Sequence, residues 1–274
     1  MISLDQETLI NGLTELGISS RDILLVHSDL RCFGVPEGAD SREKILQFYL
    51  DAFLQVLGKE GTLAVPAYFY EYARFGIPFD VDQSPVSAPL GSFSQWINSL
   101  PNRVRSLNPL QSLAAIGWQA SELTGGDSVS GYGAASPWHR LRTMGGKILF
   151  LGAPFQSMTY VHYIEQQFGV PHLYFKIYPY PIIKDKKTLP KFPISAVRYL
   201  NFEVEYDLAA FKELLQDKGA LHTAWIKNTA IYLVEAEAAF QIGMMALDQN
   251  PYFFLKNPPK FVSGQIPTDG TTGK

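Results

Sequence analysis

The chain is poor in the residues that build covalent or metal frameworks. A single cysteine, Cys32, stands among 274 residues and excludes an internal disulfide; that usage fits a reducing compartment, so a cytoplasmic location is expected. No fixed spacing ties Cys32 to a base that would make it a nucleophile. The five histidines are scattered, and none falls among cysteines or carboxylates at ligand spacing, so no metal is expected. No apolar run approaches the roughly 18 residues needed to cross a bilayer, and the opening MISLDQETLI lacks the basic-then-apolar order of a secretion signal. A basic surplus is missing too: a formal net charge of −3 argues against a general nucleic-acid partner, which needs a broad basic face. The sequence carries no signature of an oligomeric state.

What is present is hydrophobic substance and a regular order. At 46% hydrophobic content the chain can bury a large core and fits one large domain or two tightly joined lobes of a soluble enzyme. Ser3 with Gln6 reads as a capping box for a helix bearing Leu9, Leu13 and Leu16, which Gly17 ends. Ile23 to His27 reads as a buried strand, Ile45 to Leu57 as a helix and Thr62 to Pro66 as the next strand. Helix follows over Ser92 to Leu100, strand over Leu113 to Ile116, helix over Trp138 to Met144 behind Ser136 and Pro137, and strand over Lys147 to Leu151. Beyond Gly169, the aromatic stretches Leu173 to Tyr180, Tyr199 to Tyr206 and Trp225 to Val234 read as antiparallel strands, with helices over Leu208 to Gln216 and Glu235 to Leu247. The fold class expected is α/β: a mixed central sheet flanked by helices, with an aromatic-rich antiparallel region in the C-terminal half. The end, SGQIPTDGTTGK, has little to bury and is expected to be mobile over about 263–274.

The segment LFLGAPFQSMTYVHYIEQ, from Leu149 to Gln166, concentrates the chemistry. A strand breaks at Gly152, and a loop delivers Thr159, His162 and Glu165 at a spacing that stacks them on one helix face. An imidazole held by a carboxylate and a hydroxyl suits acid–base chemistry at neutral pH. The same spacing also suits a plain cap, a core histidine and a solvated glutamate.

Four further segments lie upstream in order: LLVHSDLRCFG (Leu24 to Gly34), EGTLAVPAYF (Glu60 to Phe69), VRSLNPLQSLAAIG (Val104 to Gly117) and GYGAASPWHRL (Gly131 to Leu141). Together with the Thr159 segment they resemble the aminoglycoside 3-N-acetyltransferase-like family, which moves an acyl group from coenzyme A to a sugar amine. The resemblance spans about Leu24 to Glu165 and is silent after Gly169. It implies an acyl-CoA:amine N-acyltransferase with no prosthetic group and with acyl-CoA as co-substrate. A single acyltransferase domain over 1–274 is expected, with an acyl-CoA-binding part over about 1–168 and an acceptor-side part over about 169–260. His162 is then the candidate base, Glu165 its orienting carboxylate, and Thr159 a group that either orients the imidazole or meets the thioester oxygen or departing sulfur. His27, Ser28, Leu30, Ser106, Ser112, Tyr132 and Ser136 match the donor-side motifs, and either Arg31 or Arg105 is expected to meet phosphate. One departure stands out: the related family segment reads Arg-Ser-any-His-Pro, whereas Arg105 and Ser106 are followed here by Leu107, Asn108 and Pro109. An asparagine hydrogen-bonds but exchanges no proton, so Asn108 signals either altered substrate choice or, if the base sat there, lost chemistry.

The acceptor is read from charge and aromatics. Five lysines between Leu173 and Lys191, Lys176 among them, face only Asp185; such a run is either a solvated hairpin or an attractor of phosphate. Tyr68 and Tyr70 offer surfaces for a ring, and Glu71, Asp80 or Asp82 could orient an amine or hydroxyls. The acceptor expected is a nucleotide-linked amino sugar. The alternatives are an aminoglycoside, and a catalytically silent coenzyme A-binding protein.

Overall fold

The computed structural model describes residues 3–126, 128–199, 202 and 204–261. Helix α1 (Gln6–Glu15) turns its buried Leu9 and Leu13 inward, and its cap is Asp5, which accepts from the Thr8 amide, not the expected Ser3. Strand β1 (Ile23–Ser28) follows, then α2 (Arg42–Leu57), capped by Ser41, and β2 (Thr62–Pro66). A short α3 (Glu71–Phe75) and β3 (Phe79–Asp80) precede α4 (Gly91–Ser99), β4 (Val104–Arg105), β5 (Leu113–Gly117) and α5 (Ala120–Thr124). Next come α6 (Pro137–Thr143), β6 (Lys147–Leu151) and α7 (Tyr160–Phe168). Strands β7 (Leu173–Ile177), β8 (Ile182–Lys184), β9 (Lys187–Leu189) and β10 (Ile194–Arg198) lead to α8 (Ala209–Asp217). The hairpin β11 (Leu221–Ile226) and β12 (Thr229–Glu235) and the helix α9 (Ala236–Gln249) complete the described elements.

The central sheet has seven strands in the order β11-β12-β6-β1-β2-β5-β4. Its middle, β6-β1-β2, is parallel, and every other pairing is antiparallel, so the mixed α/β class is the observed one. Because side chains alternate across a strand, β1 feeds two cores. Leu24 and Val26 pack with α1 and α2, while Ile23 and Leu25 join Trp138, Tyr160 and Phe211 on the opposite face. That two-sided burial explains why β1 reads as a continuous apolar run.

The C-terminal half supplies the antiparallel pairs β10-β7 and β8-β9, the aromatic-rich region expected there, and β3 from the N-terminal half adds to β8 in parallel to complete the second small sheet, β3-β8-β9. Differences from the sequence reading are local. Trp225 to Val234 is a hairpin, not one strand, because Lys227 turns the chain at φ 53°. In the stretch Tyr199 to Tyr206, residues 200, 201 and 203 lie outside the described set, and Tyr206 forms a lone bridge to Leu255. The expected mobile end, 263–274, also lies outside it. No helix among the described residues is long and apolar enough to cross a membrane.

Candidate active site

Both functional loops leave the carboxyl ends of the parallel strands, where open α/β sheets commonly receive ligands. After β6 the chain turns at Gly152, whose φ is +70° and at which a Cβ would collide with the Asp29 carbonyl, so only glycine fits between the two strand ends. The loop then sets Thr159 at the start of α7 and His162 on its first turn.

Glu165 is the fixed point of the site, its side chain wholly buried. One carboxylate oxygen lies 2.8 Å from His162 Nδ1 and accepts from the Tyr206 hydroxyl at 3.0 Å; the other lies 2.8 Å from His172 Nε2. Burial by itself would raise this carboxyl, but the hydrogen bonds from His162 and His172 outweigh it and hold the group below the ordinary carboxylate range. An ionised Glu165 requires donors around it. His162 therefore carries its proton on Nδ1, and Nε2 is left as the basic nitrogen toward the cavity. Tyr206, held protonated by burial and by the adjacent Glu165 charge, remains a donor.

Two cavities meet here. The first, about 410 Å³, is lined by Tyr68, Tyr70, Tyr132, His162, Lys176 and Arg198 among others. The second, about 550 Å³, is lined by His27, Ser28, Leu30, Arg31, Gly91 and Ser157 among others. Thr159 lines both. His27 stacks on Phe150 at 5.3 Å, its Nε2 has no partner among the described residues, and burial depresses its pKa to about 4, so it lines the second cavity as a neutral ring.

Several sequence candidates lie elsewhere. Arg105 is 3% exposed, donates to the carbonyls of Ala67, Ser84 and Pro85 and lies over the Phe79 ring. It lines neither cavity, whereas Arg31 lines the second and is bound to Asp29 at 2.6 Å. Ser106 accepts the Leu113 amide, Ser112 donates to the Ala67 carbonyl, and Ser136 caps α6. These three serines are buried turn and cap groups, and they are absent from the linings of both cavities. Tyr132 faces the His162 cavity instead of the His27 one. Glu71 accepts from Ser87 at 2.6 Å, and Asp80 caps its own turn by accepting from the amides of Asp82 and Gln83; neither lines the first cavity. Asn108 is a latch: Nδ2 donates to Val129 and Ile194 carbonyls, and Oδ1 accepts the amides of Leu110 and Gln111. With all of those capacities used, it offers nothing to a ligand. The lysine run divides, since Lys176 reaches the cavity while Lys184 to Lys187 form the β8–β9 hairpin, turning through Asp185 and Lys186 at positive φ.

His172 and Tyr206 did not emerge from the sequence. His172 follows Glu165 by seven residues across the end of α7, and that end, Gly169-Val170-Pro171, is the one local hint. Tyr206 arrives from 41 residues away.

A base oriented by a buried carboxylate where two cavities join is the equipment of a two-substrate group-transfer enzyme. The aminoglycoside 3-N-acetyltransferase family model matches residues 25–248. Curated relatives include aminoglycoside N(3)-acetyltransferase III of Pseudomonas aeruginosa, 28% identical over 197 residues that cover 66% of this chain and 70% of that protein. Its counterpart from Salmonella sp is 29% identical, covering 65% of each chain; the matched region is thus about two-thirds of these relatives' length. Among solved structures, a variant of aminoglycoside acetyltransferase AAC(3)-IVa in complex with a gentamicin superposes with a TM-score of 0.78 at 25% identity, covering 94% of this chain and 93% of that one. AAC-IIIb in binary complex with CoASH superposes at 0.77 with 23% identity, covering 94% and 100%, and shares the fold. The chain belongs to the aminoglycoside 3-N-acetyltransferase family, a family of N-acetyltransferases.

Proposed function

We propose that the protein transfers the acyl group of an acyl-coenzyme A thioester to a primary amine of an aminoglycoside-type amino sugar. The observation that carries this reading is the His162–Glu165–His172 arrangement, whose His162 lines the first cavity beside Thr159, the residue common to both. The His27 cavity takes the thioester donor and the His162 cavity the acceptor. As the amine nitrogen attacks the thioester carbonyl carbon, His162 Nε2 accepts the amine proton, and Glu165 stabilises the imidazolium. The C–S bond then breaks, the imidazolium returns its proton to the sulfur, and amide and free thiol result. Held substrates and a placed base supply the acceleration, the base alone typically about two to four orders of magnitude.

An aminoglycoside is the acceptor that the relatives' names share, and nothing in the comparisons supports the nucleotide-linked sugar expected from the lysine run. One observation keeps an anionic acceptor as a second reading. The described lining of the His162 cavity includes Lys176 and Arg198 and no carboxylate, a wall that attracts phosphate better than a polycation.

Thiol release from acetyl-CoA and longer acyl-CoAs, with an aminoglycoside panel and a nucleotide-linked amino sugar, followed by mass analysis of the acceptor, tests the proposal. Acylated aminoglycoside supports it. Acylation of the nucleotide sugar alone moves the acceptor to the second reading, and coenzyme A binding without turnover on any acceptor points to the silent binding protein.

A further inference from the structure

Tyr68 presents a buried hydroxyl that the acid–base scheme does not use. It follows β2 at the carboxyl end of the sheet's centre and is 3% exposed. The backbone around it is pinned. Arg105 and Ser112 donate to the Ala67 carbonyl, the Ser87 amide donates to the Tyr68 carbonyl at 2.9 Å, and the Phe69 amide donates to the Pro109 carbonyl at 2.7 Å. The buried Arg105, read in the sequence as a phosphate ligand, thus fixes the strand end that carries this ring.

The phenol oxygen is buried and finds no hydrogen-bond partner within bonding geometry among the described residues. It lines the first cavity together with Thr159, whose hydroxyl interacts with it, and burial holds it protonated well above the usual phenol range, so it stays a neutral hydroxyl with a proton to donate. The hydroxyl of Thr159, the residue common to both cavities, donates one long hydrogen bond among the described residues, to the Ser157 carbonyl at 3.4 Å. A bond that long is weak and readily redirected. Buried hydroxyls are nearly always paired, because an orphan loses its hydration without return. Phenylalanine would fill the same space without that penalty, so an unpaired phenol in the first cavity, which Thr159 also lines, calls for a use.

We propose that Tyr68 is a positioning residue for acyl transfer: its O–H donates to the Thr159 oxygen and thereby aims the Thr159 O–H at the thioester carbonyl oxygen. The inference rests on the acyltransferase reading above. Neither hydroxyl loses its proton; the N–C bond forms, the C–S bond breaks and the amine proton travels through His162 to sulfur, while the two hydroxyls stabilise the oxyanion by hydrogen bonding alone.

The test is Tyr68→Phe beside Thr159→Val and the double variant, each with urea unfolding and steady-state kinetics for both substrates. Tyr68→Phe should unfold at equal or higher urea than wild type, keep both KM values within about twofold, and lose about tenfold in kcat. The double variant should be no slower than Thr159→Val alone, because Tyr68 acts through Thr159. Wild-type kcat in Tyr68→Phe, multiplicative losses in the double variant, or a kcat loss accompanied by lowered stability would each overturn the inference while leaving the transferase reading intact. A wild-type protein inactive on every acceptor would instead overturn the reading itself, and the Tyr68 inference with it.

Discussion

Acid should weaken the fold through His27, and the size of the effect follows from its surroundings. The ring is 6% exposed, its Nε2 has no partner among the described residues, and burial lowers its pKa from 6.5 to about 4. A depressed folded-state pKa means that the unfolded chain binds the proton first. The stability is therefore fully present above pH 6.5 and is lost as the pH falls toward 4. With those two values the linkage amounts to about 2 kcal/mol by pH 5 and about 3 kcal/mol by pH 4. Glu165, also held low, loses stability in the same direction, so the His27 share has to be taken as a difference. His27→Phe keeps a ring stacked on Phe150 and removes the titrating group. Urea unfolding of both proteins at steps from pH 7 to pH 4 should show wild type losing about 3 kcal/mol more than the variant. Parallel pH curves for the two would refute the claim that His27 is buried and neutral.

Two further outcomes are expected. Glu165→Gln offers one acceptor oxygen where two histidines and a tyrosine need acceptors; the His162 tautomer is lost, and kcat should fall by about two to four orders of magnitude with coenzyme A affinity by calorimetry unchanged. Asn108→Ala and Arg105→Met should each lower stability in urea by about 2–4 kcal/mol, because each orphans buried backbone groups. Unchanged stability with weakened coenzyme A binding in Arg105→Met would restore its reading as a phosphate ligand.

Much of the architecture was legible because it is written in short-range pattern. The continuous apolar run Ile23 to Val26 reads as a strand covered on both faces, and the spacing of Ile45, Tyr49, Phe53 and Leu57 reads as a helix stripe, of which Tyr49, Phe53 and Leu57 are buried. The strand break at Gly152 and the i, i+3 step from His162 to Glu165 are likewise local, so a carboxylate-held imidazole was readable before any tertiary contact was known. Charge proved the poorer guide, since sequence records a guanidinium but not its burial. Arg105 looked like a phosphate ligand and is a clamp on three carbonyls, just as Asn108 looked like a substrate contact and is a latch between two loops.

By itself, then, the sequence determined the alternating α/β order, the apolar strands and the Thr159, His162 and Glu165 step, because propensity, periodicity and helical spacing act over a few residues. Only the tertiary structure decided the partners of Glu165, the junction of two cavities at Thr159 and the orphaned hydroxyl of Tyr68. His172, Tyr206 and Tyr68 come from separate segments, and their meeting depends on how the small β10-β7 sheet and the loops after β2 and β6 pack on the carboxyl end of the central sheet. No local pattern encodes that packing.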